Sequence, residues 1–308
     1  MSLYPLQLTT ITLPKVWGQE IWHITQMNDR LSVVTNGYLE GNDISDLIEV
    51  YMGELVGEHV YERYGNYFPL LFKVISTFDD LSIQVHPDDE FAWQMHQLPG
   101  KSELWYVLNA NPDTTLISGF CCDTSADKLR AALTDDSLTD CLNIVPVKRG
   151  DVVALPAGRV HALRRNIIVA EIQQNSDLTY RLYDYNRPGL DGKPRELHVE
   201  NALQVLDYQQ LPDPLTHYEP VLNGAVNLVS TDHFVTNLLT FDSPIGRDYA
   251  PLDSFVVYMC VEGSADVSSE GVTVTLKEGD TVLIPASLDD VLLSPHTSAK
   301  ILETYVPD

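Results

Sequence analysis

The feature that most restricts this chain is the shortness of its apolar runs. Phe68–Ser76, Glu103–Leu108, Leu116–Phe120, Asp151–Leu155 and Ile167–Ile172 are the main ones before residue 200, and none exceeds nine residues. Turn-forming residues punctuate them: Asp79-Asp80, Pro99-Gly100, Asn109 to Asp113, Gly150-Asp151 and Pro156-Ala-Gly158. Runs of this length closed by Gly, Pro and Asp build strands, since a helix needs about 10–12 residues to show its period. Helical spacing intervenes only locally. Ile44, Leu47, Ile48 and Tyr51 share one face, and residues 54–66 form a short segment ending at Gly65-Asn66. Asp88–Gln97, Asp123–Cys141 and Glu196–Leu206 are the other helical stretches. Beyond a linker at Pro212–Pro220, Thr236–Phe241, Phe255–Val261, Val272–Leu276 and Thr281–Ile284 repeat the strand pattern. The chain therefore reads as mainly β with helical insertions. It divides into a larger domain over residues 1–220 and a smaller β domain over 221–308.

The chemistry concentrates around Leu81-Ser-Ile-Gln-Val-His-Pro-Asp-Asp-Glu90. On a strand, Gln84 and His86 leave one face while Ile83 and Val85 leave the other. Pro87 ends the pairing, and Asp88-Asp-Glu90 suits the start of a helix. Gly100-Lys-Ser-Glu103 and Pro156-Ala-Gly-Arg-Val-His161 can complete a site. An amide, a carboxylate and two imidazoles suit zinc, and iron, manganese, cobalt and nickel accept the same donors. Hydrogen-bonded core histidines are the alternative for His86 and His161. Lys101 and Glu103, two apart, share a face, either inside a cavity or as an external ion pair. Lys73 lies in an apolar run, where an ammonium needs a partner or a path to water. Arg181 and Arg187 are cations for an anionic substrate or partners for structural carboxylates.

Charge narrows the partners. Forty-four acids against 19 Lys and Arg give a formal net charge of -25, which argues against a nucleic-acid or anionic-membrane grip. A few local cations can still dominate a pocket for a small phosphate. Cys121, Cys122, Cys141 and Cys260 form no CxxC pair, and four cysteines in 308 residues make no disulfide scaffold. The first residues lack a basic region followed by an apolar run, and no segment has the length of a membrane span. A cytoplasmic protein is expected.

Taken together, several stretches resemble the class I mannose-6-phosphate isomerases, in their short bacterial form. They are Phe68-Pro-Leu-Leu-Phe-Lys73, Leu81 to Asp89, Gly100-Lys-Ser-Glu-Leu-Trp-Tyr106, Pro156 to His161, and Glu171-Ile-Gln-Gln-Asn-Ser-Asp-Leu-Thr-Tyr-Arg-Leu-Tyr-Asp-Tyr-Asn-Arg187. Gly189-Leu-Asp-Gly-Lys-Pro-Arg-Glu-Leu-His198 extends the last. The resemblance implies a catalytic cupin β-barrel with helical insertions and a smaller, degenerate cupin-like C-terminal domain. It implies one zinc ion per chain, held by Gln84, His86, Glu103 and His161. It also implies that Lys101, Glu171 and Arg181 surround a hexose 6-phosphate, and that mannose 6-phosphate and fructose 6-phosphate interconvert through an enediol. Gly279-Asp-Thr-Val-Leu-Ile-Pro-Ala-Ser287 lacks the histidine that follows Pro156-Ala-Gly158, so no second metal is expected. Two other readings stay open: an isomerase of another phosphorylated aldose, and a noncatalytic cupin that binds sugar or metal.

Overall fold

A computed structural model describes residues 2–27 and 29–308. The chain forms two compact units, one of residues 1–11, 22–72 and 217–308, the other of residues 12–21 and 73–216. The second boundary lies close to the linker, but the units interleave in sequence rather than parting once at residue 220. The reason is visible within the first unit. Asp253 accepts hydrogen bonds from the backbone of Glu58 and His59 at 2.6 and 2.9 Å, and the Phe68 and Phe255 rings lie 4.6 Å apart. These contacts bind the segment before residue 73 to the C-terminal strands.

The strands before residue 217 are β1 (Ile11–Lys15), β2 (Gly18–Ile24), β3 (Gln26–Met27), β4 (Arg30–Leu31), β5 (Leu70–Thr77), β6 (Ile83–Val85) and β7 (Glu103–Ala110). They continue as β8 (Thr115–Phe120), β9 (Leu142–Pro146), β10 (Val152–Leu155), β11 (His161–Leu163), β12 (Ile167–Gln174) and β13 (Tyr180–Tyr183). Six pair in the order β1-β2-β5-β12-β7-β10, and five in the order β13-β6-β11-β8-β9. The sheets share a core: Leu116 and Leu163 of the second pack in one cluster with Ile75, Trp105, Val107, Val153 and Val169 of the first. The other face of the five-stranded sheet carries Ile83, Val85, Ile117, Ala162 and Leu182. It packs against Leu129 and against Ala202 and Leu203 of the outer helices. Alternate residues are thus committed to opposite apolar layers, and a polar side chain on the inner face is an exception to be explained.

The helices follow their caps. These are α1 (Ile44–Tyr51), α2 (Gly53–Val56), α3 (Glu58–Tyr64), α4 (Asp89–His96), α5 (Ala126–Thr134) and α6 (Val199–Val205). Asp43 accepts from the Ser45 and Asp46 amides at the start of α1. Asp88 accepts from Phe91 at the start of α4, whose first turn carries Asp89 and Glu90. The expected segment over 54–66 is two short helices, because Gly57 takes positive φ and interrupts it. No described helix is long and apolar enough to cross a membrane.

The C-terminal strands are β14 (Gly224–Ser230), β15 (Val235–Phe241), β16 (Ile245–Asp248), β17 (Val256–Ser269), β18 (Val272–Lys277), β19 (Thr281–Ile284) and β20 (Asp290–Tyr305). Their sheet runs β14-β15-β20-β17-β18, with β16 on β20 and β19 on β17. Leu239, Phe241, Tyr258, Cys260 and Ile301 lie in its core. Mainly β architecture with helical insertions is what the strand pattern predicted.

Candidate metal centre

Register assembles the site. His161 lies opposite Gln84 on β6, and Gln84 lies opposite Arg181 on β13. Cross-strand partners project to the same face, so these three side chains leave the inner face of the sheet together. Glu103 opens β7 between Leu155 and Gln173 of its neighbours. His86 follows β6 on the Gln84 face.

His86, Glu103 and His161 are all buried, and one ligand atom from each lies within 4.8 Å of the others. His161 Nε2 is 3.1 Å from His86 Nε2 and 3.1 Å from Glu103 Oε1. His86 Nε2 is 3.6 Å from Glu103 Oε2. Each ring is anchored at its other nitrogen: His86 Nδ1 donates to the Leu178 carbonyl at 2.7 Å and His161 Nδ1 to the Arg159 carbonyl at 2.8 Å. With the proton fixed on Nδ1, both Nε2 lone pairs face one point beside a carboxylate. Two converging lone pairs and an anion repel one another unless a cation lies between them. Backbone carbonyls orienting metal-binding imidazoles is a recurrent arrangement. Burial and the neighbouring Lys101 hold His86 neutral down to about 3, the form that donates to a metal. Burial pushes the Glu103 carboxyl up, but its neighbours, the adjacent Lys101 ammonium first among them, outweigh it and keep the carboxyl well below the usual range. The donor set fits a divalent cation of the zinc type.

Gln84 stands beside this group. Its amide nitrogen is 3.4 Å from His161 Nε2 and its oxygen accepts from Ser82 at 3.2 Å. Ligation through that oxygen requires a half-turn of the amide. Lys101 is buried, with Nζ 3.0 Å from Glu103 and 3.2 Å from His86. The pair with Glu103 is therefore internal, not a surface ion pair.

Glu171 belongs to an adjoining polar cluster. It accepts from Lys73 Nζ at 2.9 Å and from Trp105 Nε1 at 2.7 Å. Lys73 also donates to Gln173 at 2.5 Å and lies 4.0 Å from Glu20. The Trp105 ring stands edge-on to His161 with centroids 5.3 Å apart, linking the cluster to the metal group. Lys73 thus finds the partners that its burial demands. Trp105 was not singled out in the sequence, because nothing in a strand of apolar residues distinguishes a ring that also donates.

The two arginines separate. Arg187 pairs with Asp184 and Asp79, both at 3.0 Å, a structural employment. Arg181 lies on the Gln84 row with its Nε buried and without a hydrogen-bond partner. Burial, then Arg195, lowers it from its ordinary value, and Asp184 and Glu196 offset that. A guanidinium with a buried, unmatched N–H suits an incoming anion.

Comparison with known proteins agrees with this geometry. Residues 13–116 match the catalytic domain of type I phosphomannose isomerase. Mannose-6-phosphate isomerase ManA of Bacillus subtilis is 32% identical over 291 residues, covering 92% of this chain and 89% of that protein. Mannose-6-phosphate isomerase of Streptococcus mutans is 37% identical over 282 residues, covering 90% and 85%. The crystal structure of the mannose 6-phosphate isomerase from Bacillus subtilis superposes with a TM-score of 0.83 at 27% identity, covering 98% of this chain and 99% of that one. Likeness of this extent, on a cupin-type β architecture with a buried His-Glu-His group, shows that the chain belongs to the type I mannose-6-phosphate isomerases.

Proposed function

We propose that the chain interconverts mannose 6-phosphate and fructose 6-phosphate through a cis-enediol, with one zinc ion held by His86, Glu103, His161 and Gln84. The observation that carries this reading is the convergence of two carbonyl-anchored imidazoles on one buried carboxylate. Bound zinc supplies Lewis-acid stabilisation of negative charge on the sugar oxygens.

The protein's own groups divide the remaining work. Arg181 takes the phosphate and fixes the register of the open chain. Lys101, as an ammonium, balances Glu103 and faces the developing oxyanion. His86 and His161 would give their Nε2 lone pairs to the metal and take no part in the proton transfer. Glu171 is our choice of carboxylate for the transfer from C2 to C1. Lys73 and Trp105 occupy both of its oxygens, so acting as base requires release of one of them. Catalysis resides in residues 1–220, and residues 221–308 supply no ligand to the metal. No redox cofactor is needed, since the two carbons exchange oxidation level within one molecule.

Turnover of mannose 6-phosphate in heavy water tests the route. Metal-loaded protein is expected to form fructose 6-phosphate with part of the transferred hydrogen drawn from solvent. Faster turnover of another aldose phosphate would reassign the substrate. No turnover of any aldose phosphate at full metal loading would leave a binding protein.

A further inference from the structure

The row that carries Arg181, Gln84 and His161 does not stop at His161. On β8 the residue opposite His161 is Ser118. The same register sets Leu116 against Leu163, two residues deeper, in the inner apolar cluster. Ile117 and Ala162 face the outer cluster. Ser118 is therefore on the inner face, beside a proposed metal ligand and directly above the apolar floor. Cβ atoms of such partners lie about 4.5–5.5 Å apart.

Ser118 is completely buried, and its Oγ has no hydrogen-bond partner. Buried hydroxyls without partners are costly and rare, and each calls for an explanation. Backbone geometry adds a second observation. Pairing with β9 slips between Ile117 and Phe120, while pairing with β11 stays regular through Ser118. Gly119 makes the slip possible with φ +75, and its amide bonds the Val160 carbonyl at 2.8 Å. Bulges of this kind re-aim side chains next to active sites.

We infer that Ser118 is a positioning residue for the open-chain sugar, its hydroxyl exchanging a hydrogen bond with a sugar oxygen beside the His86–Glu103–His161 group. This rests on the function proposed above. Like Arg181, Ser118 offers a polar group that the folded chain leaves unmatched, at the opposite end of the same row. The pair brackets the metal group with a cation for the phosphate and a hydroxyl for the reacting end.

Three variants test it: Ser118→Ala, Ser118→Thr and Ser118→Val. Thr and Val have the same shape and differ by the hydroxyl, so their difference is free of packing effects. The readouts are kcat/KM for mannose 6-phosphate, the Kd of a 6-phosphohexitol that cannot isomerise, zinc content and thermal stability. Ser118→Ala is expected to lose roughly tenfold in kcat/KM and in phosphohexitol affinity, with zinc content and melting temperature at least as high as wild type. Ser118→Thr should exceed Ser118→Val by a similar factor in both. If wild type turns over and Ser118→Ala matches it in kcat/KM and Kd, the hydroxyl serves only a buried water and the inference fails. Equal Thr and Val variants with equal stability overturn it too. If wild type itself neither turns over nor binds the phosphohexitol, the proposed function fails and this inference falls with it.

Discussion

Two imidazole nitrogens lie 3.1 Å apart, and each ring turns its proton away toward a backbone carbonyl. Nothing about core packing requires it. A hydrogen-bonded histidine pair would place a proton between the rings, and here both protons are spent elsewhere. Arg181 poses the same question for an anion: His198 holds its backbone, its amide bonded to the Arg181 carbonyl at 2.8 Å, while the buried Nε is unmatched. Arg181→Ala is accordingly expected to lower kcat/KM by roughly a hundredfold or more, with zinc content unchanged by metal analysis of the purified variant. Wild-type turnover at low and saturating substrate would remove Arg181 from the site. Loss of zinc along with activity would make it a structural residue.

Elements show where sequence was a sufficient guide and where it was not. Asp88 announced α4 because capping is local chemistry, and its side chain bonds a first-turn amide as expected; α1 was legible from the spacing of Ile44, Leu47, Ile48 and Tyr51, and Asp43 caps it. The Gln84–His86 spacing was legible because a strand has a fixed period. Ser118 and Trp105 were not, since their importance comes from the strands beside them, and register is not written in either strand alone. The grouping of residues 22–72 with the C-terminal strands was hidden for a similar reason. It depends on pairs far apart in sequence, such as Asp253 with α3. Glu303 on β20 likewise meets Arg247, Asn237 and Tyr249 only in the folded sheet.

Strand β2 carries a testable consequence of burial. His23 is buried, its Nε2 has no partner, and desolvation lowers it to about 4 against a weaker raising effect of Asp280. Above its unfolded value of 6.5 the ring is neutral in both states and the full stability is present. As pH falls from there toward 4, the unfolded chain takes a proton that the folded chain refuses, so stability declines. The span corresponds to on the order of 3 kcal/mol. Urea unfolding of His23→Gln at a series of pH values should show a shallower decline than wild type over this window. An identical slope would mean that His23 does not govern it.

At the scale of the whole molecule, a net charge of -25 coexists with a site whose business is a phosphate. The conflict is resolved locally: Arg181, Lys101 and Lys73 are gathered on the inner side of one unit, and the proposed divalent ion would add two further positive charges there. Long-range repulsion from exposed acids is screened within about 8–10 Å at ordinary salt, whereas these cations act between the two sheets. Among the described residues no second group of three metal-binding side chains accompanies the first. The central claim is therefore a count as well as a chemistry. The most direct measurement is isomerase activity of chelated protein during graded return of zinc, with bound metal determined at each step. The account predicts negligible activity without metal, a linear rise, and a plateau at one zinc per chain. Full activity in the metal-free protein, or a rise that continues to two ions per chain, would contradict it.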